Sequence, residues 1–215
     1  MSQDFENTRW SSTDQSLCFR HIAALEYIQP TKSVLDVGCG DGLFLSLAKE
    51  KGAVCYGIDQ SEAGIEKTKK RLGEGANLTT SNAVYDLPFS DGSFDVVTAL
   101  DVLEHVLEPD KLLKELARIS KDSVVVSVPN FSSLPARLQC LIGRVPENNR
   151  PNKGHVYWFN NKELTRIVSI CGLEVVNLKM NIFKEKYLKL VKSTMLNVFP
   201  NLFALSYVVL LKKKN

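Results

Sequence analysis

The 215-residue sequence predicts an α/β chain folded around a doubly wound sheet. Three observations carry that prediction. Apolar, β-branched runs alternate with helically periodic segments from Ser33 to Gly172, and the first run leads directly into a glycine turn. No repeat or low-complexity linker divides the chain, so it reads as a single domain, residues 1–32 forming an N-terminal helical cap on a sheet domain of residues 33–215. Alternation of this kind builds right-handed βαβ crossovers.

Taken in order, the residues justify each element. A first helix spans Asp14 to Ile28. Ser33–Val37, Val54–Ile58, Leu78–Ser81, Phe94–Leu100 and Val124–Val128 are continuous apolar runs, as expected for strands covered on both faces. Phe44, Leu47 and Ala48 share a helix face that Gly52 ends. Ser61 caps the next helix, which carries Ile65 and Leu72. Leu112, Leu113, Leu116 and Ile119 mark a third helix, with Pro109 in its first turn. Asn160 and Glu163 form a capping-box pattern ahead of Leu164, Ile167, Val168 and Cys171, with a stop at Gly172. Leu173–Lys179 and Leu202–Leu211 read as two further strands, which brings the total to seven.

Composition narrows the class. A formal net charge of +3 is too small to indicate a nucleic-acid partner. Five dispersed cysteines without a CxxC pair argue against a zinc site or disulfide framework and fit a reducing cytoplasm. The polar start MSQDFENTRW lacks a signal-peptide run, and Leu202–Leu211 is too short to cross a bilayer, so a soluble protein is expected.

The strongest local signal is Asp36-Val37-Gly38-Cys39-Gly40-Asp41-Gly42, between a strand and a helix. Glycines there let a ligand approach the main chain at the carboxyl edge of the sheet. Asp59 follows Gly38 by 21 residues and ends the second strand, where a carboxylate can accept hydrogen bonds from both ribose hydroxyls. Dinucleotide sites share that spacing, but their fingerprint is GxGxxG. Here it is GxGxG, with Leu43 at the third glycine's place. Asp36 would also repel a pyrophosphate. An acidic turn fits a cationic nucleoside, and S-adenosyl-L-methionine carries a sulfonium and an ammonium group without any phosphate.

VLDVGCGDG, the GID ending at Asp59, DLPFSDGSFDVV and LDVLEHVLEP together resemble the successive motifs of class I S-adenosylmethionine-dependent methyltransferases, in the broad group that holds the ubiquinone-pathway O-methyltransferases. The segments SVPNFSSLPARLQCLIGR and PNLFALSYVVLL resemble, more narrowly, the MetW-type methionine-biosynthesis proteins. The broader resemblance implies a Rossmann-like, mostly parallel seven-stranded sheet whose last strand is antiparallel. It implies S-adenosyl-L-methionine as cofactor, held by Asp36, Gly38, Cys39 and Gly40 at the methionine end and by Asp59 and Gln60 at the ribose. Ala83 and Val84 would meet adenine, with Ala83 (or neighbouring Asn82 after a register shift) where the family often has Asp. Leu100 would offer its carbonyl to the ammonium group. The narrower resemblance implies an acyltransferase partner in methionine synthesis as an alternative to methyl transfer onto a small-molecule acceptor, at oxygen.

Methyl transfer demands alignment and exclusion of water, and a base only when the acceptor loses a proton. His105, just past the fourth strand, and His155, in the loop NNRPNKGHVYWFN, are the candidate catalytic groups. Asp101, Glu104 and His105 could converge on a cation if their turn were helical, but pairing with neighbouring groups is preferred and no metal is expected. Trp10 either closes the pocket or anchors the first helix. From Lys179 to Asn215 there are eight lysines and one acid, Glu185. Phe183, Tyr187, Leu190, Val191 and Val198 keep helical spacing there, and a helix covering the sheet edge is preferred over one resting on an anionic membrane or receiving an acidic partner.

Overall fold

The computed structural model describes residues 7–8, 10–11, 15–73, 75–182 and 199–214. Its strands are β1 (Ser33–Val37), β2 (Val54–Asp59), β3 (Asn77–Thr80), β4 (Phe94–Leu100), β5 (Ser120–Pro129), β6 (Leu173–Ile182) and β7 (Ala204–Lys213). Its helices are α1 (Phe19–Leu25), α2 (Leu43–Glu50), α3 (Glu62–Leu72), α4 (Pro109–Ile119), α5 (Leu134–Leu141), α6 (Asn161–Ile170) and α7 (Pro200–Phe203). The strands form one seven-stranded sheet in the order β3-β2-β1-β4-β5-β7-β6. β1 to β5 pair in parallel, whereas β7 runs antiparallel to both neighbours, β5 and β6. The doubly wound, Rossmann-like sheet with its reversed last strand is therefore present as expected.

Strand alternation sorts the core into two layers. Leu35, Val97, Val124 and Leu211 lie in register across four strands and face α4 and α6, where Leu112, Leu116, Leu164 and Ile167 meet them. Val34, Val96, Val125 and Val208 of the same strands turn to the other face, against Ala23 and Ala24 of α1 and Phe44 and Ala48 of α2. The expected caps form: Ser61 Oγ accepts from Gly64 N, and Asn160 Oδ1 accepts from Glu163 N at 2.9 Å.

The differences have local causes. The last apolar run does not become strand at Leu202, because Pro200, whose fixed φ suits a first helical turn, starts α7 and leaves β7 to begin at Ala204. The first helix is confined to Phe19–Leu25, although its expected span reached Ile28. Helix α5 was unforeseen and has no buried residue. The lysine-rich helix expected over residues 183–198 lies outside the described residues. Among the described residues no helix is long and apolar enough to cross a membrane.

β1, β2 and β3 succeed one another toward one edge, and β4 and β5 lie on the other side of β1. The order of strand addition switches sides between β1 and β4, which opens a crevice at their carboxyl ends. Leu116→Ala empties a fully buried position between α4 and the sheet and should cost about 2–5 kcal/mol of stability. Leu141→Ala, on exposed α5, should stay within about 0.5 kcal/mol. Urea unfolding of both variants measures the difference.

Candidate functional site

A cavity of about 450 Å³ occupies that crevice, a size suited to a nucleoside-scale ligand. One end is built by the β1 turn. Gly38 adopts φ +76° and Gly40 φ +56°, conformations that side chains disfavour, so glycine is required at both. Gly38 N and Cys39 N both donate to Ile58 O, and Gly40 N donates to Asp59 Oδ2 at 2.8 Å. Gly42 N and Leu43 N are likewise taken, by Cys39 O and Asp41 Oδ1. A phosphate cradle presents such amides to its ligand. Here they are spent inside the protein, which agrees with the GxGxG spacing against a dinucleotide.

Asp59 ends β2 and is 7% exposed. Its other oxygen accepts from Ser61 N at 2.8 Å, so backbone donors fix the carboxylate from two sides while it lines the cavity. Carboxylate oxygens have several acceptor directions each, and the arrangement can still receive hydroxyl protons. Gly38, Gln60, Ala83, Val84 and Leu100, all singled out from the sequence, also line the cavity. Ser81 lines it beside Ala83, whereas Asn82 is exposed and does not.

Three predicted ligand residues stand elsewhere. Cys39 turns into a small core cluster with Leu45 and Leu72, and burial pushes its thiol well above the ordinary value. Gly40 lies beneath Trp10: a Cβ there would come within 2.3 Å of the indole, so the ring rests on the turn and closes it from the N-terminal side. Asp36 sits behind the wall. It is 3% exposed and accepts from Thr98 Oγ1 at 2.5 Å. Burial raises its carboxyl to about 7, opposed by the Thr98 hydrogen bond, reinforced by Asp59 and eased slightly by Arg20. Asp36 therefore lies below the turn without surface contact, and it places a negative charge behind the cavity wall only as pH rises past about 7.

The N-terminal segment is latched over this end. Gln15 N donates to Asp41 Oδ2 at 2.8 Å, and Arg71 pairs with the same carboxylate at 3.0 Å. His21, lowered to about 4 by burial and then by Arg20, against opposing effects of Asp101 and Asp41, is neutral. Its Nδ1 accepts from Cys18 N, which puts the proton on Nε2, directed at Gln15 Oε1 2.9 Å away. Trp10, Gln15 and Arg20 thereby become cavity wall, and only Trp10 of these was singled out from sequence.

At the far end Asp101 follows β4 with φ +56°, a conformation costing a non-glycine residue roughly 1–2 kcal/mol. Ser127 and Arg20 hold it, and Asp101 N also donates to Ser127 O at 3.2 Å. Ser127 Oγ accepts from Asp101 N and donates to Oδ1 at 2.5 Å, and Arg20 Nη1 lies 3.1 Å from Oδ2. Asp101 consequently turns away from Glu104 and His105, and the three do not converge as one ligand set. His155 takes its place: ligating atoms of Glu104, His105 and His155 lie within 4.8 Å of one another. The loop before α6 is pinned to the turn after β4, since Val156 N and Tyr157 N both donate to Glu104 O. His105 Nδ1 is 3.1 Å from Gly154 O. A carbonyl can only accept, so Nδ1 carries the proton and Nε2 is the basic nitrogen of the neutral ring. The two imidazoles meet edge to face at 4.9 Å, and His155 Nε2 lies 3.9 Å from Glu104 Oε1. The cavity thus joins an acidic, glycine-lined end to a pair of histidines.

Residues 10–178 match the family described as a methyltransferase domain. The ubiquinone biosynthesis O-methyltransferase of Azoarcus sp. (strain BH72) is 32% identical over 156 residues, 68% of this chain and 66% of that protein. The norajmaline N-methyltransferase of Rauvolfia serpentina is 30% identical over 129 residues, 55% of this chain and 42% of that protein. The chain spans 42% to 66% of the length of these two curated relatives. The magnesium protoporphyrin IX methyltransferase of Synechocystis PCC 6803, solved with bound SAH, shares the fold with a TM-score of 0.69 at 18% identity, covering 99% of this chain and 95% of that one. The narrower resemblance to methionine-biosynthesis proteins gains no support from these relatives.

The raised Asp36 carboxyl has a signed consequence. Between the unfolded value of 3.8 and about 7 the folded chain holds a proton that the unfolded chain has lost. The contribution of Asp36 to stability is full below pH 3.8 and is lost as pH rises to about 7. Asp36→Asn keeps the acceptor for Thr98 without the charge. Its stability relative to the parent should rise across that interval by a few kcal/mol (order of magnitude) and level off above it. Denaturant unfolding of both proteins at successive pH values measures the effect.

Proposed function

The chain belongs to the methyltransferase-domain family, and from that premise we propose that it transfers a methyl group from S-adenosyl-L-methionine to the oxygen of a small-molecule acceptor. The observation carrying this reading is the continuity of one cavity from Asp59 to His105 and His155 past a turn whose Gly38, Cys39 and Gly40 amides are engaged within the protein. When bound, the cofactor supplies a methyl carbon activated by its sulfonium.

The chain's own groups do the rest. Asp59 accepts hydrogen bonds from the ribose hydroxyls, while Ser81, Ala83 and Val84 wall the base. The bare turn at Gly38 and the buried Asp36 favour a ligand with positive charge over one with phosphates. Trp10, held on Gly40, excludes water. At the acceptor end His105 Nε2 is the base, its tautomer set by Gly154 O, and takes the hydroxyl proton as the acceptor oxygen attacks. The hydroxyl preference rests on this base and on the O-methyltransferase relative, and the N-methyltransferase relative makes nitrogen the alternative. All five cysteines are free thiols, which supports action in the cytoplasm.

Calorimetry with S-adenosylmethionine, S-adenosylhomocysteine and NAD tests the cofactor class, with binding of the first two and none of NAD expected. Asp59→Ala should weaken adenosyl binding by about 1–3 kcal/mol, and unchanged affinity would refute the ribose assignment. In a panel of hydroxylated metabolites followed by labelled methyl transfer, His105→Gln should lower kcat by about 10²–10⁴-fold with cofactor affinity intact. Loss of cofactor binding instead would show that His105 shapes the site without serving as base.

A further inference from the structure

Several of the cavity's polar side chains are already engaged within the protein. Asp59 holds two amides, Asp101 is bonded to Ser127 and Arg20, and Gln15 Oε1 meets His21. The loop before α6 differs. Its consecutive 3-10 turns, Glu147–Asn149 and Pro151–Lys153, bring Asn148, Asn152 and Lys153 to the cavity wall. Among the described residues, none of these three side chains has a hydrogen-bond or ion-pair partner. The cavity is lined by one arginine and one lysine, and Arg20 is paired with Asp101 at 3.1 Å. Lys153 is therefore the cavity lysine or arginine whose charge is left for a ligand.

The second turn is also fastened to the base. Lys153 N and Gly154 N close it on Arg150 O and Pro151 O at 2.9 and 3.1 Å. Gly154 O then lies 3.1 Å from His105 Nδ1. The ammonium-bearing residue is thus one position from the carbonyl that sets the His105 tautomer. An ammonium and two primary amides supply donors suited to an oxyanion. A single unpaired cation matches one negative charge, and Glu104, buried beside the histidines, disfavours a second. Val102, Val106, Leu112 and Pro129 give the same cavity an apolar wall for the rest of the molecule.

We propose that the methyl acceptor is a hydroxylated carboxylic acid, whose carboxylate is received by Lys153 with Asn148 and Asn152 while its hydroxyl meets His105 Nε2. The hydroxyl oxygen forms the new bond to the methyl carbon as the carbon–sulfur bond of the sulfonium breaks. The electron pair of that bond stays on sulfur, the hydroxyl proton passes to His105 Nε2, and the carboxylate is unchanged. The hydroxyl half of this assignment rests on the methyl-transfer reading. The carboxylate half is tested by binding alone.

Calorimetry on the full chain, with and without S-adenosylhomocysteine, uses matched probes: 4-hydroxybenzoate against 4-hydroxybenzamide, and salicylate against salicylamide. At low salt at least one acid should bind about tenfold or more tightly than its amide. Added salt should narrow the gap, because Lys153 is exposed. Lys153→Gln should bring the ratio to within about twofold, and Lys153→Arg should restore most of it, since guanidinium keeps the charge. Affinity for S-adenosylhomocysteine should be the same in both variants, which reports an intact fold. Three results would each overturn the proposal. The first is no preference for the acid in either pair, absence of binding included. The second is a preference that survives Lys153→Gln. The third is labelled methyl recovered as an ester, which would put the carboxylate at the methyl carbon and away from Lys153. A chain that takes up no S-adenosylhomocysteine would instead refute the methyl-transfer reading, and the acid–amide comparison on the free chain would still decide the carboxylate.

Discussion

The carboxylate of Asp59 holds together the two segments on which the cavity depends. One oxygen takes the amide proton of Gly40 from the turn after β1, and the other takes that of Ser61 as α3 begins. Parallel pairing of β1 with β2 delivers both segments to the same sheet edge, with Val37 opposite Ile58. Charge-assisted bonds of this type are stronger than neutral ones, and in a buried setting their loss leaves donors unsatisfied. One side chain therefore fixes the turn's shape and also offers the site its acceptor. The same economy explains why the amides of Gly38, Cys39 and Gly40 are engaged within the protein and not presented to a phosphate.

The opposite wall depends on a different device. Asp101 occupies a strained backbone conformation that Ser127 and Arg20 hold in place from β5 and α1. Strain of this kind persists only where the surroundings determine it more than once, and it gathers at working sites. Its effect is to redirect the chain after β4 so that Leu103–His105 forms a single 3-10 turn. That turn aims Glu104 and His105 at the loop carrying His155. The histidine pair is thus a product of two separate chain segments, joined through the carbonyl of Glu104.

Much of this was legible in the sequence where a residue's role is decided by its neighbours along the chain. Ser61 and Asn160 cap their helices as their positions indicate, and Asp59 and Gly38 line the cavity as motif spacing implies. The strand pattern was equally readable, because the buried face of a parallel sheet demands unbroken β-branched runs. The difference fell where an apolar run has two uses: Leu202 and Phe203 belong to α7 by virtue of Pro200. The apolar residues of α5 carried no sequence assignment, and Leu138 and Leu141 are exposed.

By itself the sequence determined the sheet, its turn and the acid at the end of β2, since periodicity, glycine stereochemistry and fixed spacing act over short stretches. Only the tertiary structure decided that Asp36 lies behind the wall, that Trp10 rests on Gly40, that Asp101 turns from Glu104 toward Arg20 and Ser127, and that His105 meets His155. Those arrangements join residues from 26 to 81 positions apart (Asp101 with Ser127, and Arg20 with Asp101), and their partners are selected by packing against a sheet whose strand order no local pattern encodes.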